Sequence, residues 1–264
     1  MSQRQKPVPR RTLEVITTHL NADFDAMASM VAARKLYPDA LMVFPGSQER
    51  TLRDFFIRSS FYFVDFTRIK QVPLEEVRRL ILVDTRQRSR IGRFAEVAQN
   101  GEVDIHIYDH HPDSAEDVHG SLEVVEPTGS TTAILTRIIR ERGLSLSPQE
   151  ATVMALGIFE DTGSFTFSST TPEDLEAAAF LLRQGADLNL VAEIITRDLE
   201  SEQVFLLNDL LEHSTTFHVG GVEVVIARTT TRDYVADFAV VVHRLMDMEN
   251  LQVVFALAQM EDRV

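Results

Sequence analysis

The stretch Leu13–Asp25, LEVITTHLNADFD, decides the reading of this chain. A short β-rich run, Leu13 to Thr18, breaks directly into His19-Leu20-Asn21-Ala22-Asp23-Phe24-Asp25. One imidazole and two carboxylates thus fall just past a strand. Ala26 to Leu36 then carries alanines and methionines with no glycine or proline, and predicts a helix ended by Tyr37-Pro38. This is a strand-to-helix unit whose junction bears ionisable groups. In open α/β sheets that junction, beyond the carboxyl ends of the strands, is where ligands sit.

The same pattern recurs outward from this stretch. Ala40 to Phe44 predicts a second strand closed by Pro45-Gly46, and Leu80 to Val83 and Val103 to Tyr108 predict further buried strands. The last two run into Asp84-Thr85 and Asp109-His110-His111. Ser130 to Arg142 and Pro148 to Phe159 are helical by period and by their serine caps. The second of these delivers Glu160-Asp161-Thr162-Gly163 at its end. Thr171-Pro172-Glu173-Asp174 starts another helix, running to about Gln184 and stopped by Gly185. Strands alternating with helices imply an α/β fold, a mainly parallel sheet with helices on both faces.

The texture changes near residue 200. Glu200 to His213 predicts a helix, Thr215 to Val219 and Val222 to Ala227 a hairpin turned at Gly220-Gly221, Tyr234 to Met246 a helix, and Val253 to Ala258 a strand. Two domains are therefore expected, residues 12–198 and a smaller α/β piece over 200–264.

Composition excludes several classes. Of the 264 residues, 44% are hydrophobic and 25% charged, the balance of an ordinary globular protein. No apolar run approaches the roughly 20 residues that span a bilayer, so no membrane partner is expected. The basic start MSQRQKPVPRR lacks the apolar core of a secretory signal. The absence of cysteine excludes disulfides, thiolate metal sites and a thiol nucleophile, and fits a cytoplasmic setting. A net charge of -14 argues against a protein that coats DNA non-specifically. A nucleotide or short RNA entering a locally cationic cleft stays open. Any metal must be held by His, Asp and Glu, and this oxygen and nitrogen set suits Mn²⁺ or Mg²⁺ better than structural zinc.

Taken together, HxNxDxD, Asp84, the Asp109-His110-His111 triplet and Asp161 resemble the DHH phosphoesterase superfamily. That group includes RecJ exonucleases, oligoribonucleases of the nanoRNase type, cyclic-dinucleotide phosphodiesterases and manganese pyrophosphatases. The resemblance covers roughly residues 12–198 and extends to Gly129-Ser130-Thr131-Thr132. It implies a site for two divalent ions, Mn²⁺ by preference with Mg²⁺ as the alternative. His19, Asp23 and Asp84 would hold one ion, and Asp25, Asp84, His110 and Asp161 the other, with Asp84 bridging. Catalytic roles fall to Asp84, His111 and Asp109: His111 would hydrogen-bond a phosphate oxygen, and Asp109 would orient a ligating imidazole. Asn21, Ser130 and Arg90 are the expected substrate contacts. The chemistry implied is in-line attack by water activated between the ions, with no covalent enzyme intermediate.

Arg86, Arg88, Arg90 and Arg93 put four guanidiniums just after Asp84. They read either as a cationic lip for phosphate or RNA, with Arg90 foremost, or as a solvated loop. Arg4, Lys6, Arg10 and Arg11 read as a flexible tail, His106 as structural, and His119, His213, His218 and His243 as surface or satisfied histidines.

One departure from the family stands out. Its members carry a C-terminal domain with a glycine-rich run of the GGGHxxA type. Residues 200–264 resemble the first half of that domain and contain no such run, so the chain reads either as part of a longer protein or as one lacking that substrate grip. A narrower resemblance, from Thr17-Thr18-His19 through Phe44-Pro45-Gly46-Ser47-Gln48, is to DHH modules that open long bacterial proteins. Those continue into CBS domains and a tRNA nucleotidyltransferase or poly(A) polymerase region. The implied function is a two-metal phosphodiesterase or exonuclease-like domain acting on short RNA or nucleotides. Its alternatives are an RNA- or nucleotide-binding regulatory module with weak or no turnover, and an inorganic pyrophosphatase. The last is weakened by the lack of a Ser-Arg-Lys-Lys-type phosphate clamp. Fusion to further domains is expected, and homo-oligomerisation is left open.

Overall fold

A computed structural model describes residues 12–58, 65–195 and 199–261. The basic residues Arg4, Lys6, Arg10 and Arg11 lie outside them. The chain forms two compact units, residues 1–196 and 197–264.

The first unit runs β1 (Leu13–Thr17), α1 (Phe24–Leu36), β2 (Leu41–Met42), α2 (Arg50–Arg58), β3 (Val77–Val83), α3 (Phe94–Ala98), β4 (Asp104–Asp109) and β5 (Leu122–Val125). Helices α4 (Thr131–Glu141), α5 (Pro148–Asp161), α6 (Pro172–Arg183) and α7 (Leu188–Ile195) follow. The five strands are parallel in the order β2-β1-β3-β4-β5. The chain steps from β1 outward to β2 and then back across to β3. The β1/β3 junction is therefore the topological switch point, where the carboxyl ends of two neighbouring strands feed loops in opposite directions.

Alternation along the strands builds a core on each face. Ile16, Ile81, Val83 and Tyr108 join Met27, Met30, Leu135, Met154 and Leu181 in one cluster. Val15, Leu80, Leu82, Ile105 and Ile107 join Ile91, Phe94 and Val97 in another. A period-2 strand sends successive side chains to opposite faces, so these strands are apolar on both sides and are covered on both, as a parallel sheet requires.

Helix α1 is unusual in being buried at every residue from Phe24 to Ala33. Its alanines make it thin enough to lie between the sheet and α5. Contact with α5 is closest at Gly157, where an added Cβ would stand 2.7 Å from the Ala28 Cβ and 2.9 Å from Thr132 Oγ1. Only glycine fits there. The start of α5 is a capping box: Ser147 Oγ accepts from the Glu150 amide, and the Glu150 carboxylate accepts from the Ser147 amide.

The second unit comprises α8 (Ser201–Glu212), β6 (Ser214–Val219), β7 (Val222–Thr231), α9 (Phe238–Glu249) and β8 (Val253–Met260). Its sheet order is β6-β7-β8, with an antiparallel hairpin followed by a parallel crossover through α9. Leu206, Leu207, Leu210, Ala227, Val241 and Leu245 form its core.

Three local readings change. The predicted helix from Tyr234 starts instead at Phe238, after Asp237 in the left-handed region at φ 57°. The strand predicted over Ala40 to Phe44 pairs only at Leu41–Met42. Helices α2, α3 and α7 and strand β5 were not anticipated. The β5 stretch LEVV is a half-exposed edge strand, and α7, LNLVAEII, is rich in residues that favour strands by local preference.

Candidate metal centre

Loops from β1, β3 and β4 and the ends of α1, α4 and α5 meet at the switch point. His19 follows β1. Asp23 is the N-cap of α1, its side chain accepting from the Ala26 amide at 2.9 Å, and Asp25 lies in the first turn. Asp84 directly follows β3, with φ 59°. Non-glycine residues enter this left-handed region at a cost, Asp among the more readily. The Asp84 amide still donates to the Tyr108 carbonyl at 2.9 Å, so the backbone turns just as the ladder with β4 ends. His110 and His111 leave β4, and Asp161 is the last residue of α5.

Three overlapping groups of side chains converge, one of them Asp84 with His110 and His111. One nitrogen or oxygen from each of His19, Asp23 and Asp84 lies within 4.8 Å of the others, and the same holds for Asp25, Asp84, His110 and Asp161. Asp84 belongs to all three. Its Oδ2 lies 3.2 Å from His19 Nε2, and its Oδ1 lies 3.6 Å from His110 Nε2. His111 approaches Asp84 as well, with Nδ1 3.8 Å from Oδ1.

The ring orientations are set from outside. His19 Nδ1 is 2.9 Å from the Leu20 carbonyl oxygen and His110 Nδ1 is 3.0 Å from that of Thr128. A carbonyl only accepts, so each Nδ1 carries a proton and each Nε2 points its other face at carboxylates. This backbone-held tautomer is the arrangement a metal-ligating imidazole uses. His110 Nε2 is buried without a hydrogen-bond partner, although Asp161 Oδ2 stands 3.1 Å away. The donor set, two imidazole nitrogens and four carboxylates without sulfur, fits hard divalent cations.

Electrostatics point the same way. Burial, then Asp161, push the Asp25 carboxyl up to about 7. Asp84 is held well above the carboxylate range by burial, then by Asp25, Asp23 and Asp161. Burial, then Asp23, raise Glu160 to about 8. His110 is lifted to about 10: burial opposes its charge, but contact with Asp161 and the fields of Asp25 and Asp84 outweigh it. The pocket thus favours positive charge, and a protonated His110 supplies some of it when no cation does.

The protein tolerates this concentration of carboxylates by aiming helix N-termini at it. Thr131 and Thr132, the first residues of α4, donate their amides to Asp25 Oδ2 and Oδ1 at 2.8 and 3.1 Å. The Phe24 amide, at the start of α1, donates to Glu160 Oε2 at 2.7 Å. Unsatisfied amides and the positive end of the helix dipole stabilise anions there. Thr131 Oγ1 also donates to Asp84 Oδ1. Thr131, Thr132, Thr128 and Glu160 were not singled out from sequence as site residues. The available signals were the Ser130-Thr131-Thr132 helix start, which does not reveal which carboxylate it caps, and the place of Glu160 beside Asp161.

Asp109 sits behind His111, its Oδ1 accepting from His111 Nδ1 at 2.8 Å and from the His110 amide at 3.0 Å. Asp109 therefore orients the half-buried His111 and not, as expected, a ligating imidazole: the His110 ring is held by Thr128.

The expected substrate contacts divide. Ser130 is corrected: it is fully buried as the N-cap of α4, its Oγ accepting from the Ala133 amide and donating to Asp174 Oδ1, both at 3.2 Å. A hydroxyl so engaged positions a helix. Asn21 is exposed, left-handed at φ 57°, and accepts from the Ser47 hydroxyl. Arg90 is half-buried, and its carbonyl accepts from the Leu20 amide at 2.7 Å, tying its turn to the loop that carries His19. The cationic lip loses Arg86, which is 3% exposed and ion-paired to Asp109, Asp113 and Asp117. Arg88 and Arg93 are exposed.

These features define a carboxylate- and imidazole-lined site at the mouth of a parallel α/β sheet. Residues 15–158 match the model of the DHH family, N-terminal domain, and the chain belongs to that family. It is 51% identical over 252 residues to an A-adding tRNA nucleotidyltransferase of Geobacter sulfurreducens, covering 96% of this chain but 29% of that protein. Over 215 residues it is 32% identical to the bifunctional oligoribonuclease and PAP phosphatase NrnA of Thermus thermophilus, covering 78% of this chain and 60% of that one. A probable manganese-dependent inorganic pyrophosphatase of Deinococcus radiodurans is 31% identical over 176 residues, 62% of this chain and 51% of that one. Among solved structures, an exopolyphosphatase-related protein from Bacteroides fragilis shares the fold, with TM-score 0.70 at 17% identity over 90% of this chain and 73% of that one. No helix among the described residues is long and apolar enough to cross a membrane.

Proposed function

We propose that this chain is a two-metal phosphodiesterase module acting on short RNA or nucleotide phosphodiesters, and that it forms the N-terminal part of a longer RNA 3′-end processing nucleotidyltransferase. The observation that supports the reading is Asp84, whose Oδ2 faces His19 and whose Oδ1 faces His110, so that it joins both proposed ligand groups. His19, Asp23 and Asp84 would hold one Mn²⁺, and Asp25, Asp84, His110 and Asp161 a second. When bound, two such ions acidify a water and clamp phosphoryl oxygens. The chain's own residues do the rest. The amides of α4 keep Asp25 in place, Thr131 holds Asp84, and the carbonyls of Leu20 and Thr128 fix both imidazole tautomers. Asp109 keeps a proton on His111 Nδ1. The opposite nitrogen of this partly exposed ring is thereby available to a phosphate oxygen that gains charge in the transition state. Arg90 and Asn21, on the loops joined by the Leu20 amide, are the proposed substrate contacts.

The relatives named as oligoribonuclease and as tRNA nucleotidyltransferase support an RNA or nucleotide substrate. A module that positions RNA without turning it over is the second reading. It is favoured by the likeness to a nucleotidyltransferase of which this chain spans only 29%.

The test is to incubate the Mn²⁺-loaded chain separately with bis(p-nitrophenyl) phosphate, a short oligoribonucleotide and pyrophosphate. Release of nitrophenol and of mononucleotides is expected. Turnover of pyrophosphate alone would replace this reading with a pyrophosphatase. Stoichiometric Mn²⁺ binding with no turnover would leave the binding module.

A further inference from the structure

Arg86 sits two residues past Asp84, in a run of arginines whose other members reach solvent. It is instead buried, with its guanidinium spread over Asp109, at the end of β4, and two acids, Asp113 and Asp117, on the loop that follows the His110-His111 pair. Its Nε donates to Asp117 Oδ2 and its Nη2 to Asp113 Oδ1, each at 2.7 Å. Asp117 Oδ2 also accepts from the Ser114 amide at 2.8 Å, which closes the loop on itself. The backbone repeats the attachment: the Val118 amide donates to the Arg86 carbonyl at 2.7 Å, and the Arg88 amide to Glu116 at 3.1 Å. Asp113 is fully exposed and contributes little. The Asp117 pair is buried on both sides, where a planar fork has most effect.

The third guanidinium nitrogen faces the site. Arg86 Nη1 lies 3.6 Å from Asp109 Oδ2, an ion-pair distance, and neither atom has a hydrogen-bond partner. A buried carboxylate oxygen without a counter-charge is costly, and here Arg86 is the charge that faces it. The other oxygen of the same carboxylate holds His111 Nδ1. A connected path thus runs from Arg86 through Asp109 to the ring of His111. His19 and His110 take their orientation from backbone carbonyls and do not depend on it.

We propose that Arg86 is a positioning residue for His111: by fixing Asp109 it sets the ring's tautomer and direction, without touching metal or substrate. This rests on the phosphodiesterase reading for its consequence in turnover, but not for its geometry. Loss of such a supporting contact typically costs 10- to 100-fold in activity.

The test uses Arg86→Met, Arg86→Lys, His111→Ala and the double variant Arg86→Met/His111→Ala, with diamagnetic Mg²⁺ for NMR and Mn²⁺ for calorimetry and kinetics. Three quantities are read: the His111 Nδ1–H signal by ¹H–¹⁵N NMR, Mn²⁺ stoichiometry by calorimetry, and kcat and KM on bis(p-nitrophenyl) phosphate. In Arg86→Met the Nδ1–H signal should disappear or shift while Mn²⁺ stoichiometry holds. Its kcat should fall about 10- to 100-fold with KM changed far less, and in the His111→Ala background the same substitution should cost less than about 2-fold. Arg86→Lys keeps the charge but not the fork, and should fall between wild type and Arg86→Met. It carries the test if Arg86→Met does not fold. Persistence of the signal in both Arg86 variants, or losses that multiply in the double variant, would overturn the proposal. If wild type turns over no substrate, the phosphodiesterase reading fails, and the Nδ1–H signal alone decides the role of Arg86.

Discussion

Thr131 Oγ1 donates to Asp84 Oδ1 across 3.0 Å from the first residue of α4. One helix start thereby grips two carboxylates, Asp84 through a hydroxyl and Asp25 through two amides. The two proposed ion positions share this support, so damage to it should be felt at both.

Thr131→Val removes the hydroxyl and keeps the shape. Mn²⁺ affinity, measured by calorimetry, should fall about 10- to 100-fold. Thermal stability of the metal-free chain should change little by comparison, because Asp84 stays buried among other acids. Unchanged affinity would mean that the contact orients nothing.

Asp84→Asn tests the bridge. Both ligand groups lose their common member, so Mn²⁺ stoichiometry should drop and turnover should fall at least about 1,000-fold. The same change removes a carboxyl whose ionised form burial and the neighbouring acids Asp25, Asp23 and Asp161 disfavour. The metal-free variant should therefore melt above the metal-free wild type, while Mn²⁺ should stabilise it less.

The metal-free chain should lose stability as pH rises. Asp25 holds its proton to about 7 and Glu160 to about 8 in the folded state, against ordinary values of 3.8 and 4.5. Between those limits the unfolded chain binds fewer protons than the folded one, and stability declines with pH. His110, raised from 6.5 to about 10, adds stability that is complete below 6.5 and lost as pH climbs through 10. At the acid end, Asp104, Asp117 and Glu150 are depressed below their ordinary values, and their support disappears as pH falls through the depressed range. Melting curves in chelator should peak in weak acid. Mn²⁺ at about 100 times its Kd should add about 2.7 kcal/mol near neutrality. A metal-free optimum above pH 8 would contradict this.

Ser130→Ala separates a cap from a substrate contact. Loss of the hydroxyl should cost about 1 to 2 kcal/mol and lower Tm by several degrees. A rise in KM with Tm unchanged would restore Ser130 to the substrate surface.

Much of this was legible in the residues because it is local. The β1 strand, the helix stop at Tyr37-Pro38, the serine cap before Pro148 and the acidic or histidine clusters at element ends are written within a few positions of where they act. Convergence of the three clusters that follow β1, β3 and β4 is expected from parallel strands, whereas Asp161 arrives from the end of α5. Arg86 was misread because its burial depends on Asp109, Asp113 and Asp117, which are 23 to 31 positions away. Among neighbouring arginines, a guanidinium that folds inward looks like one that does not. Ser130 was misread because a hydroxyl at a helix start serves a cap or a ligand equally well by sequence. The Leu20 and Thr128 carbonyls left no sequence signal, since every residue has one.

Gly157 has a consequence for ion size. Helix α1 carries Asp25 near its start and α5 carries Asp161 at its end, and at Gly157 the two helices touch with no space to spare. Side chains mounted on helices in such close contact cannot drift apart or together independently. The aperture between Asp25 and Asp161 is therefore gauged by a residue that bears no ligand. A methyl group wedged in at Gly157 should widen it, shifting preference from Mn²⁺ toward a larger cation such as Ca²⁺.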